Sequence, residues 1–579
     1  MEAAVDFSEK AVFTGPLPCF SPDGKLVALA QEYRLVVREV ETLAVVGLFS
    51  CLDRIEALSW SPCGDLILCG MYTHGTAQVF SIADSEWSCS ITEGLAGICS
   101  ARWCPSCEEI LLTAEFQVKL SVWSLVDQNC HNLPPPKHPE AGIAFSPDGT
   151  QLAVLERLEF KDWLAVYDTS CWELISHSPL ATTDAADISW SPDGTCVACW
   201  DSPAQGPLLC IVDPAGSDTN APLAILHGTG YGLGFKSVAW SPSGQLLVVG
   251  SYEQEASVLN NVTWTALAGF QHATAITGPA SVLVYQEEIE NPKPSGTGVG
   301  EDLQQLRQQQ RENNNINGIQ KRREQSNKIL PSPNKPGFGS SSVSRPDNLP
   351  RLAIPAVGGP SGPSSSRAGS PSKSPLNSAR SHNGNRPSPR KPPLSAWGAG
   401  SQRSLVATLA GQLDNPASLL GDNPDNSTSQ YSISDLPLKL PAVRAAVDRP
   451  NPKAGVGIST WSPDGAYLAT RCDDRPNIMW IWDSAKLELA SVLIQAAPIR
   501  AAEWSPSLPH RLALACASGR VYFWTPNGAS CAHVPVQGMK VTSLKWGADG
   551  SALMVAGRDT FVCAHLTLEA GGYMGSIAA

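Results

Sequence analysis

The sequence predicts an all-β chain folded as a β-propeller, a ring of repeated four-stranded sheets. Three observations carry this expectation. A short word, an aromatic residue followed by Ser-Pro-Asp-Gly, recurs along the chain. Its copies are spaced by about the length of one propeller blade. Between the copies, apolar and polar residues alternate with the period of a β-strand.

The copies are "CFSPDG" ending at Gly24, "SWSPCG" at Gly64, "AFSPDG" at Gly149, "SWSPDG" at Gly194, "AWSPSG" at Gly244 and "TWSPDG" at Gly465, with looser versions at Trp103, Trp504 and Trp546. Aligned on the aromatic position they are Phe20, Trp60, Trp103, Phe145, Trp190, Trp240, Trp461, Trp504 and Trp546. The steps are 40, 43, 42, 45 and 50 residues, then a gap of 221, then 43 and 42.

Each repeat predicts the same succession of elements. A run such as "IEALSW" (55–60) alternates and ends on the aromatic residue, as a first strand does. Ser-Pro-Asp-Gly then reverses the chain: Pro presets φ, Asp bonds nearby backbone, and Gly accepts the left-handed position. A second strand follows ("LILCG", "LAVLE", "LLVVGS", "LALACA"), then a third that ends on an aromatic residue ("LSVWS", "LAVYD", "IMWIWD", "VYFWT"). The outermost strand is the connection to the next repeat. One such sheet cannot cover both of its faces, so the sheets must stack side by side.

Residues 102–110, "RWCPSCEEI", raise a separate question, because Trp-Cys-x-x-Cys also marks redox centres and half of a zinc site. Here the word occupies the slot of "WSPDG", with Cys104 in place of Ser and Cys107 in place of Gly. A thioredoxin-type centre needs its first Cys at a helix N-terminus, whereas the flanks read as strands. A zinc site needs a second ligand pair; the chain has no suitably spaced His pair, and its other Cys-x-x-Cys, Cys196 to Cys199, falls in the apolar strand-like run "CVACW". The expectation is a hairpin turn carrying incidental thiols.

Nine repeats are counted, six before residue 290 and three after 455. An open stack would leave an unpaired edge strand. The last repeat offers only three strands, and "VDFSEKAVF" (5–13), ahead of the first repeat, can supply the fourth and latch the ends together. One nine-bladed ring is expected. A seven-bladed ring with two degenerate repeats outside it, or two smaller linked rings, fits the same count.

The organisation expected is residues 1–289 as blades 1–6 with the closing strand, 290–430 as an insertion, and 431–579 as blades 7–9. The insertion is rich in Pro, Ser, Gly and Asn and is expected to be disordered, with a frayed helix near 301–324, because it has too little apolar surface to offset its ordering entropy. Residues 291–440 carry 18 basic and 9 acidic side chains, leaving 23 basic and 45 acidic on the rest, so an acidic ring bears a basic tether. Ser370 and Ser388 stand in Ser-Pro-x-Lys words, the form read by proline-directed kinases, and Ser374 and Ser332 in plain Ser-Pro. They are candidate phosphorylation sites, weighed against the abundance of Ser-Pro in any such linker. Apolar alternation resumes in "SVLVYQEE" (281–288) and "QYSISDLPLKL" (430–440), which predicts that these two segments pair as a hairpin with the insertion at its tip.

Composition narrows the function classes. The chain has 579 residues, a net charge of −13, 42% hydrophobic and 16% charged residues, 48 Gly and 47 Pro. Its 17 Cys are scattered through apolar runs and read as small buried hydrophobes in a reducing compartment. The first ten residues lack the apolar core of a secretory signal, and no run of eighteen apolar residues is present, so no membrane span is expected. No phosphate-binding loop is visible: "GTGYGLGF" (228–235) misses the dinucleotide spacing and leads into a strand. His74, His177, His227 and His272 stand singly in connectors, and no catalytic set, metal site or cofactor is expected. Nucleic-acid binding is disfavoured, since the ring is acidic and the tether's aromatics, Phe338 and Trp397, form no stacking pattern.

The repeat resembles the WD-repeat family. Trp482-Asp483 is the one full Trp-Asp dipeptide in the expected slot, and most repeats lack the Gly-His that normally opens them. The resemblance implies a WD40-like propeller, and the departure implies that the family's buried Asp–His–Ser/Thr–Trp network is absent, leaving stability to apolar packing. More specific words, "EYRLVVREVETL" (32–43), "SCLDRIEALSWS" (50–61), "EGLAGICSARW" (93–103), "FKSVAWSPSGQLLVVGSYE" (235–253), "LNNVTW" (259–264) and "VDRPNPKAGVGI" (447–458), resemble the WD repeat-containing protein 8 family of centrosomes and spindle poles. That resemblance implies a non-enzymatic cytoplasmic scaffold at the microtubule-organising centre: the centrosome, spindle pole or basal body. It implies a coiled-coil partner of the Msd-one/synovial-sarcoma-X-breakpoint-interacting type and, through it, anchorage of microtubule minus ends and γ-tubulin in spindle assembly and cilium formation. The insertion is longer than the family's usual spacer. The rim loops 228–235 and 448–453 are the candidate contacts. The alternative from another class is a translation-initiation propeller bound to the small ribosomal subunit.

Overall fold

Each Ser-Pro-Asp-Gly word folds into the same hydrogen-bonded turn, and this turn sets the register of every sheet. In the computed structural model, which describes residues 4–115, 119–216, 221–228, 233–277, 282–290, 428–443 and 452–567, Ser21 N–H donates to Leu26 O (2.8 Å) and Leu26 N–H donates back to Ser21 Oγ (2.9 Å). Gly24 N–H donates to Ser21 O at 2.9 Å, and Gly24 takes φ +74°, a left-handed value that only Gly adopts without cost. The same turn recurs at Ser61, Ser146, Ser191, Ser241 and Ser462. The Ser hydroxyl is buried in each, so the turn is built into the wall of the sheet.

The strands assemble into nine sheets of four or more strands, with the order expected of propeller blades. Blades 1 to 6 are four-stranded meanders opening at Cys19–Phe20, Ala57–Trp60, Ile98–Trp103, Ile143–Phe145, Ala185–Trp190 and Phe235–Trp240. Blade 7 opens at Val456–Trp461, blade 8 at Ala501–Trp504 and blade 9 at Ser543–Trp546. Inner strands are covered on both faces and read as unbroken apolar runs: Val27, Ala28, Leu29 and Ala30 are each fully buried. Outer strands alternate or face water; in Val45–Ser50, Val45, Val46 and Leu48 are exposed.

Nine apolar clusters fill the seams, one between each pair of neighbouring blades. One of them joins blade 9 to blade 1: Met554, Phe561 and Cys563 pack with Phe13, Val27, Leu29 and Val36. The ring is therefore closed and nine-bladed, and the alternatives of a seven-bladed ring or two smaller rings fall away. Ala4–Phe7 pairs antiparallel with Thr560–Thr567, and Ala11–Val12 pairs with the other end of the same strand. Between them Ser8 N–H donates to Cys563 O (2.8 Å) and Cys563 N–H donates to Ser8 Oγ (2.9 Å). The N-terminal segment completes blade 9, which is the latch that the sequence predicts.

The repeat aromatics tie each blade to the one before it. Trp60 Nε1 donates to Cys19 O, Trp103 to Ser59 O, Trp190 to Ala144 O, Trp461 to Ala239 O, Trp504 to Thr460 O and Trp546 to Glu503 O, at 2.9–3.2 Å. The acceptor is always the residue just before the aromatic of the preceding blade. Phe20 and Phe145 have no donor for this bond. The buried indole N–H of Trp240, whose counterpart acceptor is Ser189 O, has no hydrogen-bond partner.

Blade 7 carries two additional strands. Leu283–Glu290 adds parallel to Glu488–Ile494, the blade's outer strand, and Thr428–Ile433 pairs antiparallel with Leu283–Glu290. A second short ladder, Ala275–Ile276 with Leu438–Lys439, closes the base of the same hairpin. The pairing of the two segments flanking the insertion is as expected. Their docking on the outer edge of blade 7 explains how the chain steps from Trp240 to Trp461 while the ring continues unbroken.

One expectation needs correction. The His–Thr–Trp part of the family's hydrogen-bond network survives in blade 7: Trp482 Nε1 donates to Thr470 Oγ1 (2.8 Å), and Thr470 Oγ1 contacts His272 Nε2 (2.8 Å). His272 Nδ1 faces Gln254 O at 2.8 Å, so the protonated nitrogen is Nδ1 and Nε2 accepts. His272 arrives from the connection after blade 6, some two hundred residues earlier in the chain. His177 in Leu174–Pro179 and His227 in Ala224–His227 lie in the outermost strands, which are the connections to the next repeat.

Candidate partner-binding surface

A cleft of about 270 Å³ opens between blades 5 and 6. Leu209, Leu226, Phe235, Val249 and Leu259 line its floor and walls, and Glu253, Glu255 and His227 stand among the lining residues. The strands bring these residues together for a local reason. Blade 5 ends on the four-residue outer strand Ala224–His227, while the second and third strands of blade 6 run six residues each, and the cleft opens along this edge. Gly228 and Gly234 allow the connecting backbone to pass close: a Cβ on Gly234 would stand 2.9 Å from Gly206 O. The result is a slot that accepts a large apolar side chain beside two carboxylates, the arrangement that suits an apolar anchor flanked by a basic residue.

The structure distributes the sequence-derived candidates unevenly. Of loop 228–235, Gly228, Gly234 and Phe235 line this cleft, while residues 229–232 lie outside the described residues. Of 448–453, residues 448–451 lie outside as well, Pro452 is buried and Lys453 is exposed. The chain then runs tightly against blade 6: a Cβ on Gly455 would stand 2.4 Å from Tyr252 Cα, and Lys236 Nζ donates to Ala454 O at 2.7 Å. That end of the segment is packed into the ring. Ser370, Ser374 and Ser388 lie outside the described residues, as does the stretch 301–324. The nine repeat aromatics sit in the seams between blades and serve the architecture, as the indole ladder shows.

Ionisable residues in the interior form ties between strands. Asp162, fully buried, holds Lys137 Nζ (3.1 Å), Arg157 (2.9 Å) and Ala185 N–H (2.6 Å) across the blade 4–5 seam. Glu156 accepts from Tyr167 Oη (2.9 Å) and faces His177 Nε2 (3.2 Å). Glu287, on the hairpin docked to blade 7, accepts from Tyr522 Oη and Ser429 Oγ (both 2.7 Å) and from Ala496 N–H (2.8 Å), and stands 3.8 Å from Arg520. This carboxylate joins the hairpin to blades 7 and 8 and was not legible in "SVLVYQEE". Burial lowers His272 to about 4 and keeps it neutral. Burial, with the Glu109 charge second, pushes the Cys104 thiol well up, and the side chain is buried in the blade 3–4 cluster. Among the described residues no group of three or more His, Cys, Asp or Glu side chains is placed to hold a metal ion. No helix among them is long and apolar enough to cross a membrane.

No protein-family model matches the chain. Among curated proteins, mouse WD repeat-containing protein WRAP73 is 31% identical over 563 residues, which cover 97% of this chain and 96% of that protein. An uncharacterized WD repeat-containing protein of Schizosaccharomyces pombe is 25% identical over 287 residues, 46% of this chain and 56% of that protein. Among solved structures, the C-terminal WD40 domain of Sif2 overlaps with a TM-score of 0.43 at 9% identity, covering 98% of this chain and all of that one. The Dos1 propeller overlaps with a TM-score of 0.34 at 14% identity, covering 44% of this chain and 70% of that one. Overlaps this low add nothing to the architecture, which rests on the nine sheets and their closed seams.

Proposed function

The chain belongs to the WRAP73 family of WD repeat-containing proteins, and from that premise we propose that it is a non-enzymatic scaffold of the microtubule-organising centre. In this reading it is a member of the WD repeat-containing protein 8 group. It works in the cytoplasm at the centrosome, spindle pole or basal body, where the ring holds a coiled-coil partner and, through it, γ-tubulin and microtubule minus ends. The carrying observation is likeness to mouse WRAP73 along nearly the whole chain, both sides of the insertion included. The structure supports a binding role physically. A closed ring is a stiff display surface, and the blade 5–6 cleft is a preformed apolar slot with carboxylates at hand for the basic residues of a helix. The segments that flank the insertion pair at the outer edge of blade 7, and phosphorylation at Ser370, Ser374 or Ser388 would change the charge of the tether between them.

Proximity labelling with the full chain tests this reading. Labelled neighbours should be pericentriolar and spindle-pole proteins, with a helical coiled-coil protein prominent, and a tagged chain should concentrate at spindle poles in mitosis. A neighbour set dominated by small-subunit ribosomal proteins, with co-sedimentation on that subunit, would replace it with the translation-initiation reading.

A further inference from the structure

Turns that open neighbouring blades touch at six seams: a Cβ on the Gly of one turn would face the Pro or Asp position of the turn before it, whereas Gly194 of blade 5 has nothing within 4 Å. A Cβ on Gly24 would stand 3.3 Å from Asp549 Cγ, one on Gly244 3.7 Å from Asp193 Cγ, and one on Gly550 2.7 Å from Ser507 Cβ. Gly64 faces Pro22, Gly149 faces Pro105 and Gly465 faces Pro242 in the same way. Only between blades 2 and 3 do both slots hold cysteine. Cys63 takes the Asp position of blade 2, and Cys107 takes the Gly position of blade 3 with φ +65°. A β-carbon placed there by the repeat points at the side chain opposite, and a disulfide asks for about 3 Å between one Cβ and the far sulfur. The two thiols are near enough for each to act on the other's ionisation.

The left-handed backbone at Cys107 sharpens the point. Every other turn of this kind with a residue at that φ uses Gly, and a side chain there is strained by on the order of 1 kcal/mol. Such an outlier is grounds for seeking a use for the side chain. Cys63 is exposed and Cys107 half-buried, so oxidant reaches the pair. Two other cysteine pairs are differently placed: Cys51 and Cys69 pack in one cluster and Cys199 and Cys210 are cross-strand partners, and all four are buried in the seams. Cys104, the apparent partner of Cys107 in "WCPSC", is 1% exposed and packs into the blade 3–4 cluster.

We propose that Cys63 and Cys107 are an oxidation site that closes into a disulfide joining blades 2 and 3. Cys63 is the attacking thiol. Its sulfur lies 3.2 Å from Ser61 Oγ, the contact that the repeat's Asp makes with its own Ser, so the turn is already built to favour a negative charge at that slot. Although desolvation works against it, hydrogen bonds from Ser61, the Asp65 backbone N–H and Cys107 hold the Cys63 thiol below its usual range, while desolvation and the neighbouring Cys63 raise Cys107. With a peroxide as oxidant, the Cys63 thiolate takes one oxygen from HO–OH and a proton completes the departing water, leaving a sulfenic acid. Cys107 sulfur then displaces the sulfenic oxygen, which leaves with the Cys107 proton as a second water. Two thiols lose two electrons and two protons, and one peroxide becomes two waters.

The test uses the full chain and two variants that restore the repeat's own residues, Cys63→Asp and Cys107→Gly, so that both are expected to fold. After hydrogen peroxide and alkylation, trypsin should release peptide 55–102 linked to peptide 103–119. The linked pair should fall at least tenfold in each variant, remain in Cys104→Ser, and disappear on dithiothreitol. Thermal unfolding midpoints of the untreated variants within a few degrees of wild type certify the fold. A linked pair that survives Cys107→Gly or Cys63→Asp overturns the proposal. So does wild-type protein whose Cys63 loses reactivity to maleimide under peroxide without any linked peptide forming.

Discussion

Trp461 Nε1 donates to the carbonyl oxygen of Ala239 at 3.2 Å, although 222 residues separate the two. The bond is the same one that joins Trp60 to Cys19 across 41 residues. The ring therefore registers blade 7 against blade 6 as though nothing intervened, and the described segments on either side of the insertion pair at the outer edge of blade 7.

This ladder gives a pair of substitutions with different outcomes. Trp461→Phe keeps most of the ring's apolar contact and deletes the donor, stranding a buried carbonyl, which should cost about 1–3 kcal/mol. Trp240→Phe removes an indole N–H that has no partner, so it should be neutral or slightly stabilising apart from lost packing. Urea unfolding of the two variants measures the difference, and equal losses would mean that the indole bonds contribute nothing.

Closure rests on the N-terminal segment. Phe13 is 1% exposed, packs with Phe561 (ring centroids 6.2 Å apart), and its N–H donates to Asp559 O at 2.9 Å. Phe13→Ala should cost roughly 3–5 kcal/mol through the cavity it leaves. Removing residues 1–13 should do more, because it bares the edge of Thr560–Thr567. Light scattering should then report self-association that wild-type protein lacks at the same concentration.

Glu287 governs the hairpin more than the ring. Glu287→Ala leaves Tyr522 Oη and Ala496 N–H without their acceptor and removes the carboxylate facing Arg520. A loss of about 3–5 kcal/mol is expected for breaking a buried charged contact of this kind. It should appear first as faster proteolysis within 282–290 and 428–433, ahead of any cleavage in blades 1 to 6. Simultaneous cleavage everywhere would place Glu287 in the global core instead.

His272 makes the blade 6–7 seam sensitive to acid. Its folded pKa, about 4, lies below the ordinary histidine value of 6.5 because burial disfavours the charged ring. A depressed folded pKa means that the neutral form is favoured by folding. The contribution is complete above pH 6.5 and drains away as pH falls toward 4, by roughly 3 kcal/mol in all. The unfolding midpoint of wild type should drop across that window. In His272→Gln the part of the slope due to this residue should vanish while the seam is weakened at every pH.

The cleft between blades 5 and 6 can be blocked without touching the core. Ala266 is exposed and borders it. Ala266→Arg should leave the unfolding midpoint unchanged and, if the proposed coiled-coil partner docks here, reduce its capture at least tenfold in a pull-down from the full chain. Undiminished capture would place the partner on another face.

Sequence alone was enough for the blade word, the period, the count of nine and the latch, because each follows from local chemistry repeated in register. Ser, Pro and Gly dictate a turn wherever they occur, and Cys107 stands out as a non-glycine in a slot whose left-handed φ is set by that turn. The two flanks of the insertion were legible as a hairpin because apolar alternation resumes on both sides of it. Three features came only from the folded ring. The parallel docking of Leu283–Glu290 on Glu488–Ile494 depends on which sheet edge lies nearest, and no period in the chain encodes that. The His272–Thr470–Trp482 network joins residues on opposite sides of the insertion. The one Trp-Asp dipeptide in the third-strand slot, Trp482-Asp483, was a signal that such a histidine existed, but the insertion hid which one. The meeting of Cys63 with Cys107 likewise belongs to the stack, since it arises from the rotation of one blade on the next. Local words determine a blade because turn and strand preferences act over a few residues. Contacts between blades are decided by closure, which acts on the whole ring at once.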